Sequence, residues 1–320
     1  MIDQKIYYRK ARNFGQVFSE SFGYIKQNFK TFFGSIILFT LPIIAIITLL
    51  IIYMVNTGLS RQFEFGRGGN NFIGEMLFAV FGVFFLFLLV QTVYITVINE
   101  HLVINEQMAN DEFVKTNHIG KTFFNSFWRV LGNSMLLAIF AIVTLLIYAL
   151  INGAISAVFA TGGIAGILLA GCIQILTSLI ITPIIGYIFI SSLFVVQKDK
   201  VGIITALGKV FRYLKGNFWM TWCVSVVGYI ITYFATLIVM IPAIIFMFLQ
   251  VFSRINYNTN NLNTDVSSTT IIIGSLIFLI TLTLALCVYA IYFLMCNFQY
   301  TSLEEKKEGS SIIEKINQIQ

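Results

Sequence analysis

Between Arg129 and Lys198 the chain carries neither a charged residue nor a histidine. A helix of the kind that covers a soluble core needs a polar face, and this stretch supplies none. A membrane span needs roughly 20 apolar residues at 1.5 Å rise each to cross about 30 Å of hydrocarbon. The stretch is long enough for two. Asn152-Gly153 and Thr161-Gly162-Gly163 bring turn chemistry near its middle, which predicts a tight hairpin there, between spans three and four. Residues 32–55, 76–97 and 270–296 are further charge-free blocks of spanning length. A fifth span starts near Trp219 and reaches about Gln250; it exceeds what a perpendicular helix requires, so tilt or an interfacial end follows. Spans three and four come from the hairpin, and the total is about six.

Composition agrees. Hydrophobic residues make up 58% of the chain and charged residues 11%, with a mean hydropathy of +0.87, against roughly 45–50% and 25% in soluble domains. The predicted class is an all-α polytopic membrane bundle, one membrane domain over residues 1–320. No cleavable signal peptide is recognised in the charged first 30 residues, and span one is expected to act as its own insertion signal.

Loops that stay in the cytoplasm retain Lys and Arg during insertion. Of the 20 Lys and Arg, seventeen fall on one side of the six-span arrangement, including Lys5, Arg9, Lys10, Arg12, Lys26 and Lys30 before span one and Lys198, Lys200, Lys209, Arg212 and Lys215 before span five. Arg61, Arg67 and Arg254 fall on the other. Both termini, with the loops containing Lys115 and Lys200, are therefore expected in the cytoplasm. The net charge of +6 reads as topology and as attraction to anionic headgroups, and not as a nucleic-acid surface.

Self-similarity within the chain carries more information. Segments before spans one, three and five align on Asn28, Asn133 and Asn217. Ten residues earlier stand Phe18, Phe123 and Leu207; six earlier, Phe22, Phe127 and Phe211; three earlier, Ile25, Val130 and Leu214. Steps of four, three and three put these on one helical face. Each unit reads as an amphipathic cytoplasmic helix followed by a two-span hairpin, over residues 11–110, 114–200 and 201–303, with a short tail at 304–320. All three helices share a side, so the repeats are parallel. Chance similarity among Phe-rich basic segments is the competing explanation.

The third unit also carries a resemblance. Pro183-Ile-Ile-Gly-Tyr, Val195-Val-Gln-Lys-Asp-Lys-Val-Gly and Ala206-Leu-Gly-Lys-Val-Phe-Arg-Tyr-Leu-Lys-Gly-Asn-Phe-Trp219 together resemble a segment of bacterial six-span families, including the membrane domain attached to some glycerophosphoryl diester phosphodiesterases. Weaker copies lie at 15–33 and 120–134. Members of those families place acidic residues where Gln197, Lys198 and Asp199 stand, and only Asp199 keeps that character. The resemblance implies a bacterial cytoplasmic (inner) membrane. It implies no phosphodiesterase chemistry, because the chain has two histidines, His101 and His118, and no soluble region for a catalytic barrel.

Candidate sites are few. Glu100, His101, Glu106, Asp111, Glu112 and His118 gather after span two, where a solvated polar loop is expected in place of a metal site, since their spacing matches no ligand motif. Cys172, Cys223, Cys287 and Cys296 show no CxxC spacing and predict neither disulfides nor zinc. Pro42, Pro183 and Pro242 fall within spans and predict kinks. Gln91, Thr92, Thr96, Asn152, Gln174, Thr177, Ser178 and Thr182 are read as interhelical hydrogen-bonding groups, and Gly162 with Gly166 as a close-contact pair. Trp128, Trp219 and Trp222 suit an aromatic belt. No charged residue is expected mid-span, which disfavours proton- or ion-coupled transport, and no nucleotide-binding, triad or HExxH pattern occurs. The sequence thus leads to a non-enzymatic membrane module without cofactor, organising partner proteins or anionic lipids through its three surface helices. An uncoupled transporter or lipid-handling permease is the alternative.

Overall fold

The computed structural model describes residues 5–61, 69–108, 114–159, 162–259 and 268–319, with side chains for 5–50, 52, 81–108, 114–159, 162–249, 270 and 272–309. The side chains of Arg61, Arg67, Glu75, Asp111, Glu112 and Arg254 lie outside those ranges. The described residues form seven helices: α1 (Phe14–Arg61), α2 (Gly69–Gln107), α3 (Thr116–Phe159), α4 (Gly163–Asp199), α5 (Ile203–Leu214), α6 (Phe218–Thr259) and α7 (Ser268–Ile319). All but α5 contain a stretch long and apolar enough to cross a membrane. The protein is an all-α, multi-pass membrane protein.

The boundaries have local causes. Asn13 and Gln16 exchange side-chain-to-backbone hydrogen bonds at 2.9 Å each, a reciprocal cap that starts α1. Helix α4 stops where Lys200 adopts a left-handed conformation (φ 58°). Gly216, at φ +91°, separates α5 from α6, a conformation open to glycine without a Cβ penalty. The hairpin between α3 and α4 turns at Gly162 and Gly163 (φ +61°), the second of the two turn signals. Asn152-Gly153 lies inside α3. Gly166 is the glycine that permits the turn's close approach, since a Cβ there would strike the carbonyl of Phe159, whereas a Cβ on Gly162 would meet nothing. All three prolines are inside helices, yet the non-helical residue within α1 is Asn28 (φ −113°, ψ 18°), not Pro42.

The chain divides into two compact units. One comprises Met1–Phe32, Ile95–Ile231 and Ile291–Gln320; the other comprises Phe33–Tyr94 and Thr232–Ala290. In the latter, Ile36, Ile44, Ile47 and Val90 are buried, and Gly274 lies so close to Phe246 that a Cβ would come within 2.6 Å of the ring. There Thr40 and Thr48 donate to carbonyls one turn back, and Tyr94 donates to the Leu286 carbonyl at 2.9 Å. The former unit holds the strap at residues 5–13, α5 and most of the buried polar side chains. In it Tyr292 lies between two glycines, its hydroxyl donating to the Pro183 carbonyl at 2.7 Å. A Cβ on Gly186 would stand 3.0 Å from that hydroxyl, and one on Gly228 3.3 Å from the ring.

Candidate functional site: the buried polar core of the strap-bearing unit

Span two does not end at its first charged residue. Helix α2 continues to Gln107, so Glu100, His101 and Glu106 are helical and not part of a loop. Glu100 is 6% exposed and His101 0%, which overturns the reading of a solvated polar loop there: backbone hydrogen bonding carries the helix on, and neighbouring donors satisfy the side chains. His118 lies on α3, half-buried.

Glu100 accepts hydrogen bonds from Thr122 Oγ1 at 2.8 Å, from Ser126 Oγ, and from Gln197 Nε2 at 2.8 Å. Helices α2, α3 and α4 thus meet at one carboxylate. Gln197 also donates to the Thr96 carbonyl at 3.1 Å. His101 Nδ1 lies 2.6 Å from the Tyr24 hydroxyl and its Nε2 3.5 Å from Thr31 Oγ1. Beside them Asn297 donates to Asn99 at 3.1 Å, and Gln299 to Thr221 at 3.1 Å. Several buried amide atoms in this core receive or donate nothing, among them Asn99 Nδ2, Gln197 Oε1, Asn297 Oδ1 and Gln299 Oε1. A buried polar atom without a protein partner costs about 1–3 kcal/mol unless a water or an ion meets it.

The strap closes over this core. Arg12, 1% exposed, sends its guanidinium back to the carbonyls of Tyr7, Tyr8 and Lys10 and to Glu20, while the cation rests 4.5 Å from the Phe298 ring centre. Burial pulls its pKa below the ordinary arginine value, and Glu20 opposes that. Its backbone amide donates to Ser302 Oγ, which donates to the Arg12 carbonyl in return. Lys5, Ile6 and Tyr8 bind Met108, Asn105 and Glu106. Phe298 meets Tyr24 edge-on at 5.8 Å, so the strap, α7, α1 and His101 form one connected stack. Alongside, a charged cleft of about 300 Å³ is lined by Arg9, Lys198, Lys209, Asp199, Glu304 and Glu308. Tyr213, hydrogen-bonded to Glu308, has its phenol pKa raised by burial first and then by that carboxylate.

The repeat positions behave differently from unit to unit. Ile25, Val130 and Leu214 are all buried. Phe123 is buried, whereas Phe18 and Leu207 are half-buried. At the position six before the anchor, Phe22 is 43% and Phe211 53% exposed, and Phe127 is half-buried. The inward face of the first segment is instead Val17, Ser21, Tyr24, Ile25 and Asn28. Asn28 and Asn133 each donate to the carbonyl four residues back, of Tyr24 and Arg129. Asn133 also accepts the Ile203 amide at the start of α5. Asn217 sits in the break before α6 and accepts the Thr221 amide through its carbonyl.

A second repeat escaped the sequence reading. Tyr94, Tyr187 and Tyr292 each stand twelve residues before an acid, respectively Glu106, Asp199 and Glu304. All three tyrosines are buried. Glu106 takes the Tyr8 amide, Asp199 takes Lys209, and Glu304 takes Lys198. The spacing was there to be found, but the intervening residues mix polar and apolar types and align on little beyond Asn99, Ser192 and Asn297, five after each tyrosine. Among the described residues no group of three or more His, Cys, Asp or Glu is arranged to hold a metal. Comparison of the chain with protein families, curated proteins and solved structures finds no match.

Proposed function

We propose that the protein is a non-enzymatic module of a bacterial cytoplasmic membrane, termini inside, which gathers anionic lipid around its three pre-span segments, the starts of α1 and α3 and the separate helix α5, and presents that surface to partner proteins. The observation that carries this reading is the outward face of those segments. Phe22, Phe124, Trp128, Phe211 and Trp219 are exposed beside exposed Lys26, Lys30, Lys121 and Lys215. Aromatic rings suit the headgroup level, and each Lys near an anionic surface contributes about 1 kcal/mol. The resemblance to membrane domains of glycerophosphoryl diester phosphodiesterases supports the same reading, because in those proteins the membrane part is separate from the catalytic one.

Native mass spectrometry of the protein released from nanodiscs of mixed anionic and zwitterionic lipid tests it. Retained lipid is expected to be enriched in the anionic species, and replacing the four lysines by Gln should weaken that enrichment by about fivefold per charge removed. Retention that follows the bulk lipid ratio would defeat the proposal. The transporter reading is kept for one reason: Glu100 and the orphaned amides form a polar core inside a bundle whose other faces are apolar.

A further inference from the structure

We infer that Glu100, Thr122, Ser126 and Gln197 form a binding site for a single alkali metal cation. This goes beyond the lipid-gathering role and does not rest on it.

Glu100 is nearly inaccessible and lies on α2 just beyond its charge-free block, where burying a carboxylate without a counter-charge is costly. Buried carboxylates are ordinarily balanced by Lys or Arg. Among the described residues Glu100 has no such partner; its contacts are two hydroxyls and one amide. The neighbouring His101 is turned to Tyr24 and Thr31.

Each of those three neutral groups can reverse its role. A hydroxyl that donates to a carboxylate can rotate to offer a lone pair. The Gln197 amide can turn end for end, and its Oε1, buried and accepting no hydrogen bond, is the atom that turning would bring to the carboxylate. In the orientation observed the amide donates to both Glu100 and the Thr96 carbonyl; the reverse orientation gives up those two bonds and supplies a cation ligand. Together the carboxylate, two hydroxyls and the amide carbonyl make an all-oxygen set drawn from α2, α3 and α4. Hard oxygen ligands select hard cations, and a single negative charge is too little for calcium or magnesium, whose sites collect several carboxylates. A monovalent ion matches the charge. Thr122 is itself exposed, so the carboxylate lies one side chain below the surface of α3 and an ion has a short way in.

The test uses the full chain in detergent. Thermal unfolding is followed while choline chloride is exchanged for lithium, sodium, potassium or ammonium chloride at constant ionic strength. One alkali cation is expected to raise Tm saturably, with the midpoint concentration setting its affinity. Glu100→Gln should abolish the response, and Thr122→Val or Ser126→Ala should weaken it at least tenfold. Glu308→Gln, in the separate charged cleft, should leave it unchanged. If Glu100→Gln does not fold, the Thr122 and Ser126 variants decide the matter alone. No saturable response to any alkali cation, a response to ammonium or divalent ions only, a response to pH without cation dependence, or an undiminished response in these variants overturns the site. The lipid-retention experiment is unaffected by any of these outcomes.

Discussion

Up to Val196 the two halves of α4 are equally apolar and have opposite fates. From Gly163 to Thr182 the bulky side chains face outward, with Ile164 80%, Leu168 66% and Ile175 66% exposed. From Pro183 onward the helix sinks into protein: Tyr187, Leu193, Phe194, Val195 and Val196 are at most 3% exposed. Hydropathy cannot separate the halves, because lipid is as good a solvent for Leu as a protein core is. What separates them is the neighbourhood that small and polar residues create. Gly186 admits Tyr292, Ser191 reaches the Cys296 carbonyl at 3.5 Å, and Gln197 reaches Glu100. The outer half offers one comparable polar contact to α3, where Gln174 donates to Asn152 and Ser156.

Mutations can break that contrast. The largest effect is expected at Arg12, which anchors the strap over the buried half: Arg12→Ala removes one of the two cations that Glu20 holds, Lys10 being the other, and the filler above Phe298, and each charged hydrogen bond lost costs about 1.5–3 kcal/mol. A thermal or denaturant unfolding curve in detergent reads it. Next comes Gly186→Ala, where the new methyl meets the Tyr292 hydroxyl; overpacking of this kind costs about 1–3 kcal/mol, and Tyr292→Phe in the same chain should recover part of it. Asn297→Leu strands Asn99 and is expected to cost about 0.6–1.7 kcal/mol, the range for hydrogen bonds between membrane helices. The smallest effect belongs to the outer half, where Leu168→Ala or Ile175→Ala should shift stability by no more than about 0.5 kcal/mol. A loss at Leu168 as large as that at Gly186 would mean the outer half is packed against something after all, and the comparison would collapse.

Much of this architecture is legible in the residues. Charge-free length gives six spans, and Gly162-Gly163 gives the hairpin. The rest is hidden for identifiable reasons. Ending span two at its last apolar residue hides Glu100, because insertion energetics penalise charge while helix hydrogen bonding does not. Arg12 looks like one more positive charge on the inner side, since nothing local in residues 5–13 shows periodicity; only Ser302, 290 residues away, and Phe298 reveal that it is enclosed. The pre-span segments show their Phe spacing plainly, yet which flank turns inward depends on partners such as His101 in another helix.

The exchange of hydrogen bonds between Arg12 and Ser302 also sets an order of assembly. The strap is made first, and its partner lies in the last helix, 290 residues later. At about 5–20 residues per second, the ribosome needs roughly 15–60 s to deliver it. During that interval the polar core lacks α7, and Arg12 lacks Phe298 and Ser302. Until α7 arrives, the strap has Glu20 of α1 and Asn105 and Glu106 of α2 to hold it, and its fit is completed when Phe298 and Ser302 come up against Arg12.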